Sequence, residues 1–131
     1  MDLNFVKQVI LEHYKFPKNY GKLKNSTMYE GNAIGCSDHI KVYLRMSDDK
    51  FQISFEGQSC SLSKACASIL IEKVNGLTYE EIKNIDENLI IDVIGEKMFN
   101  SRKKCSSLAL NILQSAISDY KERSLVYETK L

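Results

Sequence analysis

His39-Ile40-Lys41-Val42-Tyr43-Leu44-Arg45-Met46-Ser47-Asp48-Asp49-Lys50-Phe51-Gln52-Ile53-Ser54-Phe55-Glu56-Gly57 alternates between apolar and polar residues on both sides of a Ser-Asp-Asp turn. Ile40, Val42, Leu44 and Met46 fall on one side of the first run, and Phe51, Ile53 and Phe55 on one side of the second. Side chains of a strand point to opposite faces in turn, so the pattern reads as two strands joined in a hairpin, each with one face in a core. Gly57 ends the second strand and the period then changes. Leu62, Cys66, Ile69 and Val74 fall close to one helical face, so a helix begins within a residue or two of Cys60.

On the N-terminal side, Phe5, Val6, Val9, Ile10 and Tyr14 recur at three- and four-residue steps between Asn4 and Lys15, which predicts an amphipathic helix stopped by Pro17 and Gly21. The polar, mixed segment from Lys22 to Glu30 reads as a loop leading to a short first strand. On the C-terminal side, Asn75-Gly76 closes the helix after Cys60, and Thr78 with Glu81 forms a capping-box pattern that opens another. Ile82, Ile85, Leu89, Ile90, Ile91, Val93 and Ile94 supply one or two short helices ending at Gly95. The basic run Arg102-Lys103-Lys104 leads into Cys105, after which Leu108, Ile112, Leu113, Ala116, Ile117 and Tyr120 mark a final amphipathic helix. From about Lys121 the sequence reads as a frayed tail. It contains no internal repeat, low-complexity stretch or linker.

With 131 residues, 44% of them hydrophobic, the chain can bury one core, and residues 1–131 read as a single domain. Lysine plus arginine number 18 against 17 aspartate plus glutamate, a net charge of +1 that leaves no electrostatic footprint for nucleic acid or an acidic membrane. Met1-Asp2-Leu3-Asn4 lacks the basic start and apolar run of a secretion signal, and no stretch of about eighteen apolar residues occurs. The expectation is a cytoplasmic protein with neither nucleic acid nor membrane as partner. In a reducing compartment the four cysteines are expected to be ligands, reactive thiols or core fillers rather than disulfides.

Cys36, Cys60 and Cys105 each stand at the edge of an expected element, and Asp38 lies two residues past the first. Three thiolates and one carboxylate suit zinc or an iron–sulfur cluster, with the single oxygen ligand as a labile corner. In an extended segment Cys36 and Asp38 point the same way. Cys60 and Cys105 both precede helices, and Lys103 and Lys104 adjoin Cys105; both effects are expected to lower a thiol pKa and favour the thiolate. The spacings of 24 and 45 residues (60 − 36 and 105 − 60) match no paired CxxC pattern, so convergence depends on the fold. Cys66, flanked by Ala65 and Ala67 on the Leu62/Ile69 face, reads as a core filler. His13 reads as a surface or helix-end histidine, and His39, next to Asp38, as an outside candidate.

Five motifs occur in order: His13-Tyr14-Lys15-Phe16-Pro17-Lys18-Asn19-Tyr20-Gly21, Cys36-Ser37-Asp38, Phe55-Glu56-Gly57-Gln58-Ser59-Cys60, Ser63-Lys64-Ala65-Cys66-Ala67-Ser68 and Arg102-Lys103-Lys104-Cys105-Ser106-Ser107-Leu108. They resemble the HYxxPxNxG, CGD, FxGxGC, SxASAS and RxKCATL segments of the U-type iron–sulfur cluster assembly proteins, the group of the IscU, SufU and NifU N-terminal scaffolds. The resemblance runs from the first helix to about Tyr120. It implies an α+β fold, a small three-stranded antiparallel sheet packed with about five helices. It implies that Cys36, Asp38, Cys60 and Cys105 hold a transient 2Fe-2S cluster, or zinc as alternative or resting metal, and that Cys105 and Cys60, aided by Arg102, accept persulfide. The implied partners are a cysteine desulfurase of IscS, SufS or NifS type and iron–sulfur acceptor proteins, with the chain a monomer or weak homo-oligomer. A zinc-dependent sulfurtransferase of a SUF-type pathway is the alternative function.

The departures bear on the branch. IscU-type chains place histidine before the third cysteine and an LPPVK segment upstream; here Lys104 precedes Cys105, and Glu96-Lys97-Met98-Phe99-Asn100 bears no such motif. The Arg-x-Lys-Cys approach resembles SufU, yet the gap from Cys60 to Cys105 is too short for the insertion usual in that branch. Ser37 and Ser59 replace glycines, and Ala33-Ile34 replaces Asn-Pro.

Overall fold

In a computed structural model, which describes residues 2–33 and 37–130, Asp48 and Asp49 both adopt positive φ, 53° and 66°. Aspartate tolerates that left-handed conformation, and two such residues make the tight turn whose twist matches the flanking strands. The turn fixes the register of β2 (His39–Ser47) on β3 (Lys50–Gln58), with Ser47 opposite Lys50, Leu44 opposite Ile53 and Val42 opposite Phe55. β1 (Thr27–Asn32) pairs antiparallel with the other edge of β2, giving a three-stranded sheet in the order β1-β2-β3. The expected architecture is therefore found. β1 starts inside the segment that reads as a loop, because an edge strand half exposed on alternate residues has little apolar signal.

The inward row Ile40, Val42, Leu44, Phe51, Ile53 and Phe55 is buried. Full burial of each such side chain stabilises the fold by about 1.5–3 kcal/mol before entropy is counted. α2 (Ser61–Val74) packs on β3, and α1 (Leu3–Lys15) covers another of its sides. Buried on nearly every side, α2 carries Leu62, Ala65, Cys66, Ala67, Ile69, Leu70, Ile71 and Val74 into the core. α3 (Tyr79–Lys83) opens with the expected capping box of Thr78 and Glu81.

The outer edge of β3 is closed by the segment after α1. Gly21 N–H donates to Phe55 O at 2.8 Å, Phe55 N–H donates to Asn19 O at 3.0 Å, and Asn19 takes φ 56° to make the approach. The motif from His13 to Gly21 thus serves first as an edge cover that removes a free strand edge. It is tied to α2 through Ser68 Oγ, which accepts from Lys18 N–H at 2.8 Å and lies 2.7 Å from His13 Nδ1.

Among the described residues the helices number seven, against about five expected. α4 (Asn88–Ile94) ends at Gly95, whose φ of 86° breaks the helix. α5 (Glu96–Ser101) and α6 (Lys103–Ser106) follow, divided by Arg102 at φ −144°, ψ 66°. Elements of six and four residues span less than two turns, too few for a period to emerge. α7 (Leu108–Lys130) continues past Lys121, where a frayed tail was expected. Contacts near that point favour the helix: Tyr120 packs edge-on against Phe51 at 5.3 Å, Lys121 Nζ lies 5.4 Å from the Tyr79 ring centre, and Arg123 pairs with Asp119 at 2.9 Å. Among the described residues, no helix is long and apolar enough to cross a membrane.

Candidate metal centre

Because β2 and β3 are antiparallel with His39 opposite Gln58, the residue before β2 and those after β3 meet at one end of the sheet. Gly57 makes the close approach possible: at its φ of 154°, an added Cβ would lie 2.1 Å from His39 O. Asp38 directly precedes β2. Cys60 is the N-cap of α2, as its position before a helix predicts, and its Sγ accepts from Ser63 N–H at 3.4 Å. Cys105 reaches the same place on α6, which packs against α2.

Asp38, Cys60 and Cys105 present donor atoms that all lie within 4.8 Å of one another. Asp38 is 3% exposed and Cys105 5%, while Cys60 is half-buried and forms the open side. Asp38 Oδ1 accepts from Cys60 N–H at 2.8 Å, and Oδ2 accepts from Ser63 Oγ at 2.6 Å. Burial by itself would raise the Asp38 pKa. The hydrogen bonds from Ser63, from Cys60 N–H and from the two thiols outweigh it and hold the carboxyl at about 2, so it is ionised at neutral pH.

The Cys105 thiol is not activated as its basic approach suggested. Burial, then the bond to Asp38 and the charge of Cys60, push it up to about 12. Cys105 lies inside α6 rather than at the start of α7, so it does not cap that last helix as expected. Lys103 turns toward Glu87, its Nζ 3.9 Å from Oε2. In the metal-free chain, Asp38 carboxylate and Cys105 thiol share one buried corner as anion and proton donor. A divalent cation inverts that preference by stabilising the thiolate.

Cys36 lies outside the described residues. Arg102 sits exposed at the junction of α5 and α6, and its carbonyl accepts from Cys105 N–H at 2.9 Å. His39 stands apart from the donor group: Nδ1 lies 3.2 Å from Asn32 Oδ1 and Nε2 3.4 Å from Glu30 Oε1. His13 faces Ser68, and burial lowers its pKa. Ser63 is the residue that sequence reasoning passed over. It occupies the third position of α2 after a capping residue, the place from which side chains reach back across a helix start, and that signal was readable.

Cys66 is fully buried, and burial raises its pKa to about 12, as befits a core filler. The buried Ser106 hydroxyl lies against the Cys66 thiol, a weak hydrogen-bonding partner, and has no nitrogen or oxygen partner among the described residues. Cys66→Ser gives that hydroxyl an oxygen partner. It is expected to keep full zinc stoichiometry and to change unfolding free energy by less than about 1 kcal/mol, since a new bond offsets the added polar burial. Metal analysis and urea unfolding check both; loss of metal would move Cys66 into the site.

The donor set fits zinc. Zinc–ligand bonds of about 2.0–2.3 Å place ligand pairs on a tetrahedral ion roughly 3.5–3.8 Å apart, so a group within 4.8 Å closes on one ion by side-chain rotation. Asp38, Cys60 and Cys105 would hold it, and zinc there would supply charge that keeps the thiolates deprotonated.

The NifU-like N terminal domain family matches residues 5–126. The zinc-dependent sulfurtransferase SufU of Bacillus subtilis (strain 168) is 28% identical over 130 residues, covering 86% of this chain and 88% of its own. The iron–sulfur cluster assembly scaffold protein IscU of Thermotoga maritima is 32% identical over 128 residues, covering 84% and 90%. Among solved structures, an iron–sulfur cluster assembly scaffold protein for the SUF system from Fervidobacterium islandicum AW-1 superposes with a TM-score of 0.70 at 29% identity, covering 84% of this chain and 94% of that one.

Proposed function

The chain belongs to the NifU-like N-terminal domain family, and on that membership we propose that it is an iron–sulfur cluster assembly scaffold. It receives persulfide sulfur from a pyridoxal-phosphate cysteine desulfurase, builds a transient 2Fe-2S cluster on Cys36, Asp38, Cys60 and Cys105, and passes it to acceptor proteins in the cytoplasm. The observation that carries this reading is the convergence of Asp38, Cys60 and Cys105 at one end of the sheet, with Cys60 forming the open side. In the sulfur-receiving step a thiolate, Cys105 or Cys60, attacks the outer sulfur of the desulfurase persulfide. A new S–S bond forms, the old one breaks, and the desulfurase thiolate leaves. Reducing two such sulfurs to sulfide takes four electrons, two from oxidation of two ferrous ions and two from a thiol reductant. Arg102, three residues before Cys105, assists the incoming anionic sulfur.

A second reading, a zinc-dependent sulfurtransferase, is favoured by the compactness of the donor group, which suits a single ion. In it, zinc holds the thiolates until the desulfurase docks and one thiol is freed to take the sulfur. Anaerobic incubation of the purified chain with ferrous iron, cysteine, a desulfurase and a thiol reductant separates the two. The scaffold reading predicts visible cluster absorption that moves to an apo acceptor protein. Stoichiometric zinc that stays in place while desulfurase turnover rises, with no cluster absorption, would replace it with the second.

A further inference from the structure

Ser63 touches all three donor residues. Its backbone N–H donates to Cys60 Sγ at 3.4 Å, its hydroxyl donates to Asp38 Oδ2 at 2.6 Å, and the same oxygen lies 3.1 Å from Cys105 O. The side chain is fully buried, so its hydroxyl has no bulk water to fall back on. It carries one proton and has two acceptors. The bond to the carboxylate is the shorter and is charge-assisted, while the carbonyl is a ready alternative.

We infer that Ser63 is the positioning residue of the metal centre: it holds the Asp38 carboxylate against the start of α2 in the metal-free chain and passes its hydrogen bond to Cys105 O when that carboxylate turns toward a metal ion. The inference rests on the metal-site reading above. It deepens that reading by supplying the switch that makes the oxygen ligand exchangeable. Besides the two thiols, Asp38 is anchored by Cys60 N–H on one oxygen and by Ser63 Oγ on the other. Turning one oxygen to a metal must break or share a bond, and an orphaned buried hydroxyl would resist the turn. With Cys105 O in reach, the hydroxyl stays satisfied in both positions, so the carboxylate can ligate and withdraw. Since Cys105 O belongs to another donor residue, the same hydroxyl also ties α6 to the start of α2.

The test is zinc affinity of the full chain, measured by competition with a chromophoric chelator, in a double-mutant cycle of Ser63→Ala and Asp38→Ala. Ser63→Ala is expected to tighten zinc binding about 10-fold, because the carboxylate no longer gives up a charge-assisted hydrogen bond to reach the metal. In the Asp38→Ala background it should change affinity by less than about 3-fold, because the group it anchors is gone. Cobalt(II) loading gives a second readout, in which the Ser63→Ala spectrum keeps the wild-type form and that of Asp38→Ala does not, while thermal melting of the metal-free chain stays cooperative. An equal change in both backgrounds, or wild-type or weaker affinity in Ser63→Ala, would overturn the inference and leave the metal site standing. Failure of the wild-type chain to bind zinc or cobalt would overturn the metal-site reading and this inference with it.

Discussion

Cys105→Ser weakens zinc binding by roughly 10²- to 10³-fold while the metal-free chain unfolds much as before. Structural zinc is bound with about 10–16 kcal/mol of apparent free energy, so one donor of a four-ligand site carries about 2.5–4 kcal/mol, which is the stated factor. A serine oxygen does not ionise in the accessible pH range and is a poor substitute for a soft thiolate. The substitution changes volume little, and its site at the end of α6 already has hydroxyl neighbours in Ser106 and Ser63. The effect on metal is thereby separated from an effect on folding. Chelator competition gives the affinity and thermal melting of the metal-free chain gives the fold. Unchanged zinc affinity in Cys105→Ser would remove this cysteine from the site.

Zinc affinity rises by at least one decade per pH unit through neutrality, so that between about pH 6.5 and 8.5 it increases about 100-fold or more. The sign follows from the thiol. Cys105 in the metal-free chain is raised to about 12, so below that value it carries its proton, and zinc must displace it. Each proton released adds one to the slope of log affinity against pH. Asp38, held at about 2, is already ionised across the range and adds nothing. Further thiols that arrive protonated make the slope steeper. In Cys105→Ser the slope should fall by one, which ties the two predictions together. A flat profile would mean that the metal meets no protonated thiol at Cys105.

The hairpin and α2 were legible because their signals are periodic and their burial one-sided or complete; residues from Ile40 to Phe55 alternate, and the change of period after Gly57 marks the start of α2. α5 and α6 were not, since a break at Gly95 and another at Arg102 cut the chain into pieces shorter than two turns. The site was half legible. Cys60 at the head of α2 could be placed from local sequence alone. Its meeting with Asp38 follows once the hairpin register is known, because both flank paired strand ends. Cys105 could not be brought there by local reasoning, as its position depends on how α6 packs on α2. Its electrostatics misled for the same reason: neighbouring lysines in sequence suggested an activated thiol, but what surrounds the sulfur is Asp38, Cys60 and the core. The two cations nearest it in the chain are exposed.

The sequence motif before Gly21 shows a different kind of limit. Its likeness to a family segment suggested a functional role, yet what its backbone does is close the free edge of β3 and hold α2 through Ser68. Edge protection depends on backbone groups, and side-chain identity reports on them only through the turn residues Asn19 and Gly21.

Ligation of one metal by Asp38, Cys60 and Cys105 is tested by X-ray absorption at the zinc edge of the zinc-loaded chain. The expected result is a shell dominated by sulfur at about 2.3 Å with one lighter donor at about 2.0–2.2 Å, and loss of one sulfur in Cys105→Ser. A shell of nitrogen and oxygen alone, or a sulfur count unchanged in Cys105→Ser, would contradict it.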